Sequence, residues 1–261
     1  MTIATEPKRI VSLDASDTQI LFRIGAGKQV VAVDKDSDYP GAPRTSIDAT
    51  NPNIEAIAGY NPDLVVTAYD NNNVVSGLKK LKIPVLLANP SNNVSDAYTL
   101  WSDLGKATGH QSEADTLVTR TRQDIAATVA KAPKSAQPLS YYYELDQTYY
   151  TATAHTFIGS LLGQFHLTNI GDPADSASAA GFPQLSQEAI IKANPAVIFL
   201  ADGQCCGQNL STVAMRPGWA TISAVQRGNV FVLNDDQASE WGPNIDALMQ
   251  TVAADLTKAS K

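Results

Sequence analysis

SEADTLVTRTRQDIAATVAKA, Ser112 to Ala132, is the stretch from which the rest of the chain is read. Ser112 is placed to cap a helix, and Glu113 and Asp115 put negative charge where a first turn exposes unpaired N–H groups. Leu117, Val118, Thr121, Ile125 and Val129 recur at three- and four-residue steps and make one apolar stripe. Pro133 and Pro138 then stop the helix. At about 1.5 Å per residue it runs roughly 30 Å, the width of a small domain. Blocks with strands of their own flank it. The expectation is therefore a linking helix over 112–132 between a first lobe, 1–111, and a second, 133–261. An ordinary surface helix inside one domain would show the same stripe.

Outward toward the N-terminus, short apolar runs alternate with amphipathic ones. Arg9–Leu13, Val30–Val33, Leu64–Thr67 and Ile83–Leu87 read as buried strands. The helices between them are expected from Asp14–Asp17 to Gly25, from Asn53 to Gly59, over Asn71–Leu81 and over Ser95–Ala107. Outward toward the C-terminus the pattern restarts. Strands are expected at Ser140–Glu144, Val197–Leu200 and Asn229–Leu233, with a second short strand at Tyr149–Ala152. Helices are expected over Thr156–Phe165, from Ser186, and over Pro243–Ala259, with a flexible loop at Gly171–Gly181. Strands alternating with helices imply an α/β fold, here two Rossmann-like lobes with mainly parallel central sheets.

An internal repeat supports two lobes. Glu55-Ala56-Ile57, four residues, Pro62 and the strand from Leu64 match Glu188-Ala189-Ile190, four residues, Pro195 and the strand from Val197. Asparagine precedes both prolines, as Asn61 and Asn194.

Composition removes several functions. The 261 residues are 44% apolar and 17% charged, with a net charge of −7, so no basic stripe is present to neutralise phosphates and nucleic acid is not an expected partner. No apolar run suits a membrane helix. Gly25-Ala26-Gly27 ends a helix instead of following a strand, which makes it a helix terminus and not a dinucleotide loop. No phosphate-binding loop or Gly-x-Ser-x-Gly elbow supports an α/β enzyme, the competing class. Adjacent Cys205 and Cys206 cannot form a zinc knuckle, and the histidines His110, His155 and His166 are too scattered for a bare-ion site; no metal or cofactor is expected. Met1 leads directly into Thr2-Ile3-Ala4, so the chain is cytoplasmic or an exported protein without its signal segment.

Taken together, Arg9–Leu13, Ser37-Asp38-Tyr39-Pro40, Asn53-Ile54-Glu55 with Asn61–Val65, Phe182–Ser186 with Glu188, and Arg216-Pro217-Gly218-Trp219 with Gly228-Asn229-Val230 resemble a known family. It is that of the two-lobed extracytoplasmic solute-binding proteins of ABC importers, in the group taking cobalamin, ferric siderophores or haem. The resemblance covers nearly the whole length. It implies a ligand cleft between lobes, limited closure on binding, a permease as partner, an extracytoplasmic location, and membrane attachment only through an anchor absent from this chain. It also implies that Glu55 and Glu188 meet arginines on the permease; the plain alternative is first-turn carboxylates favouring their helix ends. A monomer is expected. A ligand-sensing domain of the same fold is the alternative role.

Ligands of parallel sheets bind outside the carboxyl ends of strands. The candidates are therefore Asp14, Ser16, Asp36, Tyr39, Tyr69, Asp70, Glu144, Asp146, Tyr149, His155, Asp202 to Gln208 including Cys205 and Cys206, Asp235, Asp236, Glu240 and Trp241, and the resemblance adds Phe182. Half of these would serve equally as solvated turns or helix caps. The set is acidic and tyrosine-rich, with Lys35 its only base. A trianionic iron–catecholate complex would need Arg or Lys, so the set suits a neutral or cationic, amide-rich guest lying on aromatic faces. A corrin-like chelate is favoured, and the resemblance makes Tyr39 and Phe182 ligand contacts; the tryptophans that cobalamin binders carry near Thr50 and Ala68 are absent. Cys205 and Cys206 either close a vicinal disulfide or remain two buried thiols.

Overall fold

The computed structural model describes residues 6–133 and 137–260. Two compact units emerge. The first takes the described residues up to 91, 95–122 and 241–243; the second takes 92–94, 123–240 and 244–260.

The first unit is built on β1 (Ile10–Ser12), α1 (Ala15–Arg23), β2 (Val30–Val33), α2 (Ile54–Gly59), β3 (Leu64–Thr67), α3 (Val74–Lys80), β4 (Val85–Leu87) and α4 (Val94–Thr108). Its four strands are all parallel, in the order β2-β1-β3-β4. Val11, Val65, Ile57, Val74 and Leu78 form one core cluster on this sheet. A parallel sheet covered on both faces needs near-continuous apolar strands, which Ile10-Val11 and Leu64-Val65-Val66 supply.

Next comes α5 (Gln111–Lys131), the long helix. It starts before the expected cap, so Ser112 lies in its first turn and does not cap it. The apolar stripe is realised: Ala114, Thr121 and Ile125 are buried, and Leu117, Val118 and Val129 half-buried. Residues through Arg122 belong to the first unit and those from Gln123 to the second, so one unbroken helix runs from unit to unit.

The second unit follows with β5 (Ser140–Glu144), α6 (Phe157–Leu162), β6 (Thr168–Asn169), α7 (Gln187–Ala193), β7 (Val197–Leu200), α8 (Gly203–Cys206), α9 (Leu210–Ala214), α10 (Ser223–Arg227), β8 (Val230–Val232), α11 (Asp235–Ser239) and α12 (Ile245–Ala259). Its strands are again parallel, in the order β6-β5-β7-β8. That is the order of the first sheet, strand for strand. The repeat extends to backbone conformation: Asn61 and Asn194 are both left-handed, at φ 50° and 49°, a state asparagine tolerates better than most residues. Each stops its helix and turns the chain through proline into the third strand of its sheet.

Two expectations change. Tyr149–Ala152 is not a strand of the sheet. Its backbone bonds the 181–185 segment instead, through Thr151 N to Pro183 O, Thr153 N to Gly181 O and Leu185 N to Tyr149 O. The edge position goes to Thr168–Asn169, too short to show any period. Asn71–Leu81 is not one helix either; Asn72 and Asn73 are left-handed, and α3 starts only at Val74.

Candidate functional site

In sheets of this order the chain reverses direction between β1 and β3, and between β5 and β7. The crevice beyond those carboxyl ends is where such sheets bind ligands.

In the first unit β1 runs out at Ser12 and hands over to Asp14, which caps α1 by accepting from Asp17 N at 3.1 Å. A chain of buried hydroxyls extends from there. Thr18 Oγ1 donates to Ser12 Oγ at 2.8 Å and lies 2.8 Å from Ser37 Oγ, which donates to Asp34. This chain fastens the loop after β2 to α1 and so positions Tyr39, whose ring packs on Phe22 of α1 at 5.2 Å. After β3, Thr67 Oγ1 fixes the turn by donating to Tyr69 O at 2.9 Å, and the Tyr69 ring stands 51% exposed. Burial pushes the Tyr69 hydroxyl up, and the Asp14 charge adds to it.

The acids here are shifted upward. Burial pushes Asp14 up to about 6, against the opposing bond from Asp17 N. Asp17 is fully buried with no partner for either carboxyl oxygen, and burial followed by the Asp14 and Asp34 charges raises it well above the carboxylate range. Asp34 is raised by burial as well. Trp241 and Ser16 also meet: Trp241 N donates to Ser16 Oγ at 3.3 Å, while Trp101 Nε1 donates to Trp241 O at 3.2 Å. A residue 241 places along the chain thus completes the first unit. Asp36 is exposed, and Asp70 accepts from Val75 N at 2.9 Å, starting α3.

In the second unit β5 carries Tyr141, Tyr142, Tyr143 and Glu144, all buried. Glu144 is not an open carboxylate. Arg216 donates to both its oxygens at 2.6 Å, and Arg216 Nη2 also donates to Gln208 Oε1 at 2.6 Å. The guanidinium lies 4.6 Å over the Trp219 ring and 5.7 Å over that of Tyr149, which stacks on Trp219. Burial raises Glu144 despite Arg216; Arg216 would be lowered by burial, but its bonds to Glu144 hold it above its ordinary value. Beside them Asp202, 1% exposed, has no hydrogen-bond partner for either oxygen. Burial, then the Glu144 charge, pushes it up to about 7.

Tyr149 is left-handed, at φ 70°, a conformation that costs a bulky residue on the order of 1–3 kcal/mol. The stacking on Trp219 and the hydroxyl, donating to Gln187 Oε1 at 3.2 Å, hold it there. The 171–181 segment, expected to be flexible, is gathered around one carboxylate. Asp175 accepts from Ser176 N at 2.9 Å, Gly181 N at 3.0 Å and Thr153 Oγ1 at 3.1 Å, with His155 Nδ1 at 3.0 Å. His155 first, then these bonds, hold Asp175 below the usual carboxylate range. This brings His155, exposed, next to the segment that presents Phe182, 46% exposed.

Cys205 and Cys206 are joined by a disulfide and are exposed, not buried. Asp235 braces their turn by accepting from Gln204 N at 3.1 Å and Cys205 N at 2.7 Å. Asp146 is likewise occupied, by Thr148 N at 2.7 Å. Asp236 is exposed and Glu240 half-buried. Glu55 and Glu188 are exposed in the first turns of α2 and α7, which Asn53 and Ser186 cap at 3.0 and 3.1 Å. Sequence reasoning missed Asp17, Asp34 and Arg216. Arg216 stands in the Arg216-Pro217-Gly218-Trp219 motif, but no strand directly precedes it to mark a strand-end loop. Among the described residues, no group of three or more His, Cys, Asp and Glu is arranged to hold a metal ion, and no helix is long and apolar enough to cross a membrane.

The family model described as "Periplasmic binding protein" matches residues 10–237. An uncharacterised substrate-binding lipoprotein of an ABC transporter from Bacillus subtilis is 30% identical, covering 99% of this chain and 84% of the relative. A cobalamin-binding protein of Halobacterium salinarum is 28% identical, over 97% of this chain and 70% of the relative. The solved vitamin B12-binding protein of Vibrio cholerae superposes with a TM-score of 0.78 at 25% identity, covering 98% of each chain.

Proposed function

The chain belongs to the periplasmic binding protein family, and from that premise we propose that it captures a metal-chelate nutrient, a corrinoid first of all, and delivers it to an ABC transporter permease. The observation that carries the ligand class is the state of the charges at the strand ends. Lys35 is paired with Asp48 at 3.0 Å, and Arg216 is closed on Glu144 and Gln208. Neither offers a free cation to a polyanionic guest. Exposed Tyr69 and Phe182 and half-buried Tyr39 offer aromatic faces instead, and the surrounding carboxyls offer acceptors to amide N–H groups.

Delivery rests on Glu55 and Glu188. They occupy the same place in the two halves of the repeat, exposed and in first turns, so each unit presents one carboxylate in the same local frame. Paired with permease arginines, two such charges fix orientation and speed encounter. The family, and the lipoprotein relative, are those of extracytoplasmic proteins, and this chain acts there as a carrier without catalysis. The test is a thermal-shift and calorimetric screen with cyanocobalamin, cobinamide, haemin and ferric catecholate siderophores. A ligand that binds only the folded state raises its melting temperature. Cyanocobalamin or cobinamide is expected to do so; stabilisation by the catecholates alone would reverse the ligand assignment.

A further inference from the structure

The disulfide turn is joined to the Arg216–Glu144 ion pair by a short series of bonds. Cys206 O accepts from Gln208 Nε2 at 3.4 Å. That contact orients the Gln208 amide so that its Oε1 accepts from Arg216 Nη2 at 2.6 Å and from Thr212 Oγ1 at 3.3 Å. On its other side the turn is fixed to the start of α11. Asp235 accepts from two of its amides, and Gln204 Oε1 accepts from Asn234 Nδ2 at 3.2 Å and Asp235 N at 3.3 Å. A side chain at Gly203 would collide with Val232, so the turn sits directly against β8. Both flanks are thus held, while the Cys205–Cys206 bridge itself is exposed.

We propose that Cys205–Cys206 is a thiol–disulfide exchange site whose state controls access to Arg216. The co-reactant is a dithiol. One of its thiolates attacks a bridge sulfur and displaces the other as thiolate, leaving a mixed disulfide. The second thiol of the dithiol then resolves that bond. Two electrons and two protons pass to Cys205 and Cys206, which end as thiols, and the dithiol ends as a disulfide. The ring holds the Cys205–Cys206 peptide and Cys206 Cα, and the Cys206 carbonyl leaves it at that atom; opening the ring restores rotation about Cys206 Cα, so the carbonyl turns away from Gln208 Nε2 and releases the Gln208 amide. Arg216 keeps Glu144 but loses its third acceptor, and one guanidinium edge becomes available to an anionic group. The closed ring suits an uncharged guest; the open ring admits a carboxylate or phosphate. This inference stands on the second unit alone and does not depend on which ligand the protein carries.

The experiment uses the full chain. Iodoacetamide under denaturing conditions without reductant is expected to add no groups, and after treatment of the folded protein with dithiothreitol to add two, at Cys205 and Cys206, by peptide mass spectrometry. Phenylglyoxal labelling of Arg216 is then compared between oxidised and reduced protein, with Arg227 as internal reference. At least a fivefold rise on reduction is expected, repeated in the Cys205→Ser/Cys206→Ser variant. Gln208→Leu, which keeps the bridge, should raise labelling as well. Two alkyl groups without reductant, or equal Arg216 labelling in oxidised and reduced protein, overturns the proposal whether or not cyanocobalamin binds.

Discussion

Replacing Asp202 by Asn should remove a defined part of the pH dependence of stability. Asp202 is 1% exposed, lies beside Glu144, and has no hydrogen-bond partner for either oxygen. Its carboxyl is pushed from an ordinary 3.8 up to about 7 in the folded chain. The sign follows from linkage. Between about pH 4 and pH 7 the folded protein keeps a proton that the unfolded chain has lost, so stability falls as pH rises through this window and levels off above it. A shift of this size at about 1.4 kcal/mol per pH unit amounts to about 4 kcal/mol at pH 8. Asn is isosteric with the neutral acid and supplies N–H donors toward Glu144, so Asp202→Asn should match the wild type at pH 4 and exceed it at pH 8. For a chain of this length the gain corresponds to roughly 8–16 °C in melting temperature. The assay is differential scanning calorimetry of both proteins at half-unit steps from pH 4 to 8.5. Parallel profiles would refute the reasoning, because they would mean that Asp202 ionises in the folded state as readily as in water.

The other predictions concern the neighbouring groups. Glu144→Gln should cost about 2–4 kcal/mol in chemical denaturation, because it takes the carboxylate from a half-buried guanidinium, and adding Arg216→Leu in the same chain should recover part of that loss. Ser37→Ala interrupts the hydroxyl chain between Thr18 and Asp34 and should cost about 1–3 kcal/mol, read as a lower denaturation midpoint. Tyr69→Ala removes an exposed ring and should weaken cyanocobalamin binding by roughly fivefold, about 1 kcal/mol, in calorimetry. Glu55→Lys with Glu188→Lys should leave that affinity unchanged and abolish uptake in cells carrying the permease.

What could be read beforehand had a local cause. The strands were legible because a parallel strand buried on both faces is a continuous apolar run, as in Leu64–Thr67 and Val197–Leu200. The shared order of the two sheets was foreshadowed by one repeated helix–Asn–Pro–strand unit, because a left-handed asparagine before proline is a backbone requirement that leaves a trace in sequence. The linking helix was legible from its stripe. The site was less so. Asp17 reads as part of a capping cluster, and nothing local says that its carboxyl turns inward without a partner. Arg216 meets Glu144 across 72 residues of chain, a distance over which no spacing rule operates. Trp241 joins the first unit from near the C-terminus for the same reason. The one-turn helices α8 to α11 are too short for any period to appear.

The two units reach a similar electrostatic state by different chemistry. A formal count of −7 treats every acid as ionised. At the end of β1 and β2 three aspartates converge, and burial raises Asp17, Asp14 and Asp34 above the ordinary carboxylate range, so the first unit holds its protons to a higher pH than free carboxylates would. At the end of β5 and β7 the second unit neutralises Glu144 with Arg216 and leaves Asp202 near its midpoint at neutral pH. Each strand-end loop set therefore presents less net charge than its composition suggests, while keeping many oxygen acceptors and several ring faces. A guest carrying formal negative charge gains little from such a surface, because the half-buried Arg216 guanidinium described there is already matched. A guest with amide donors and a broad apolar face gains both hydrogen bonds and stacking without requiring a counter-charge. The same logic explains why the Asp202 carboxyl matters beyond stability: its ionisation would add a second negative charge against one Arg216, and the pair would then favour a cationic or proton-bearing partner over a neutral one.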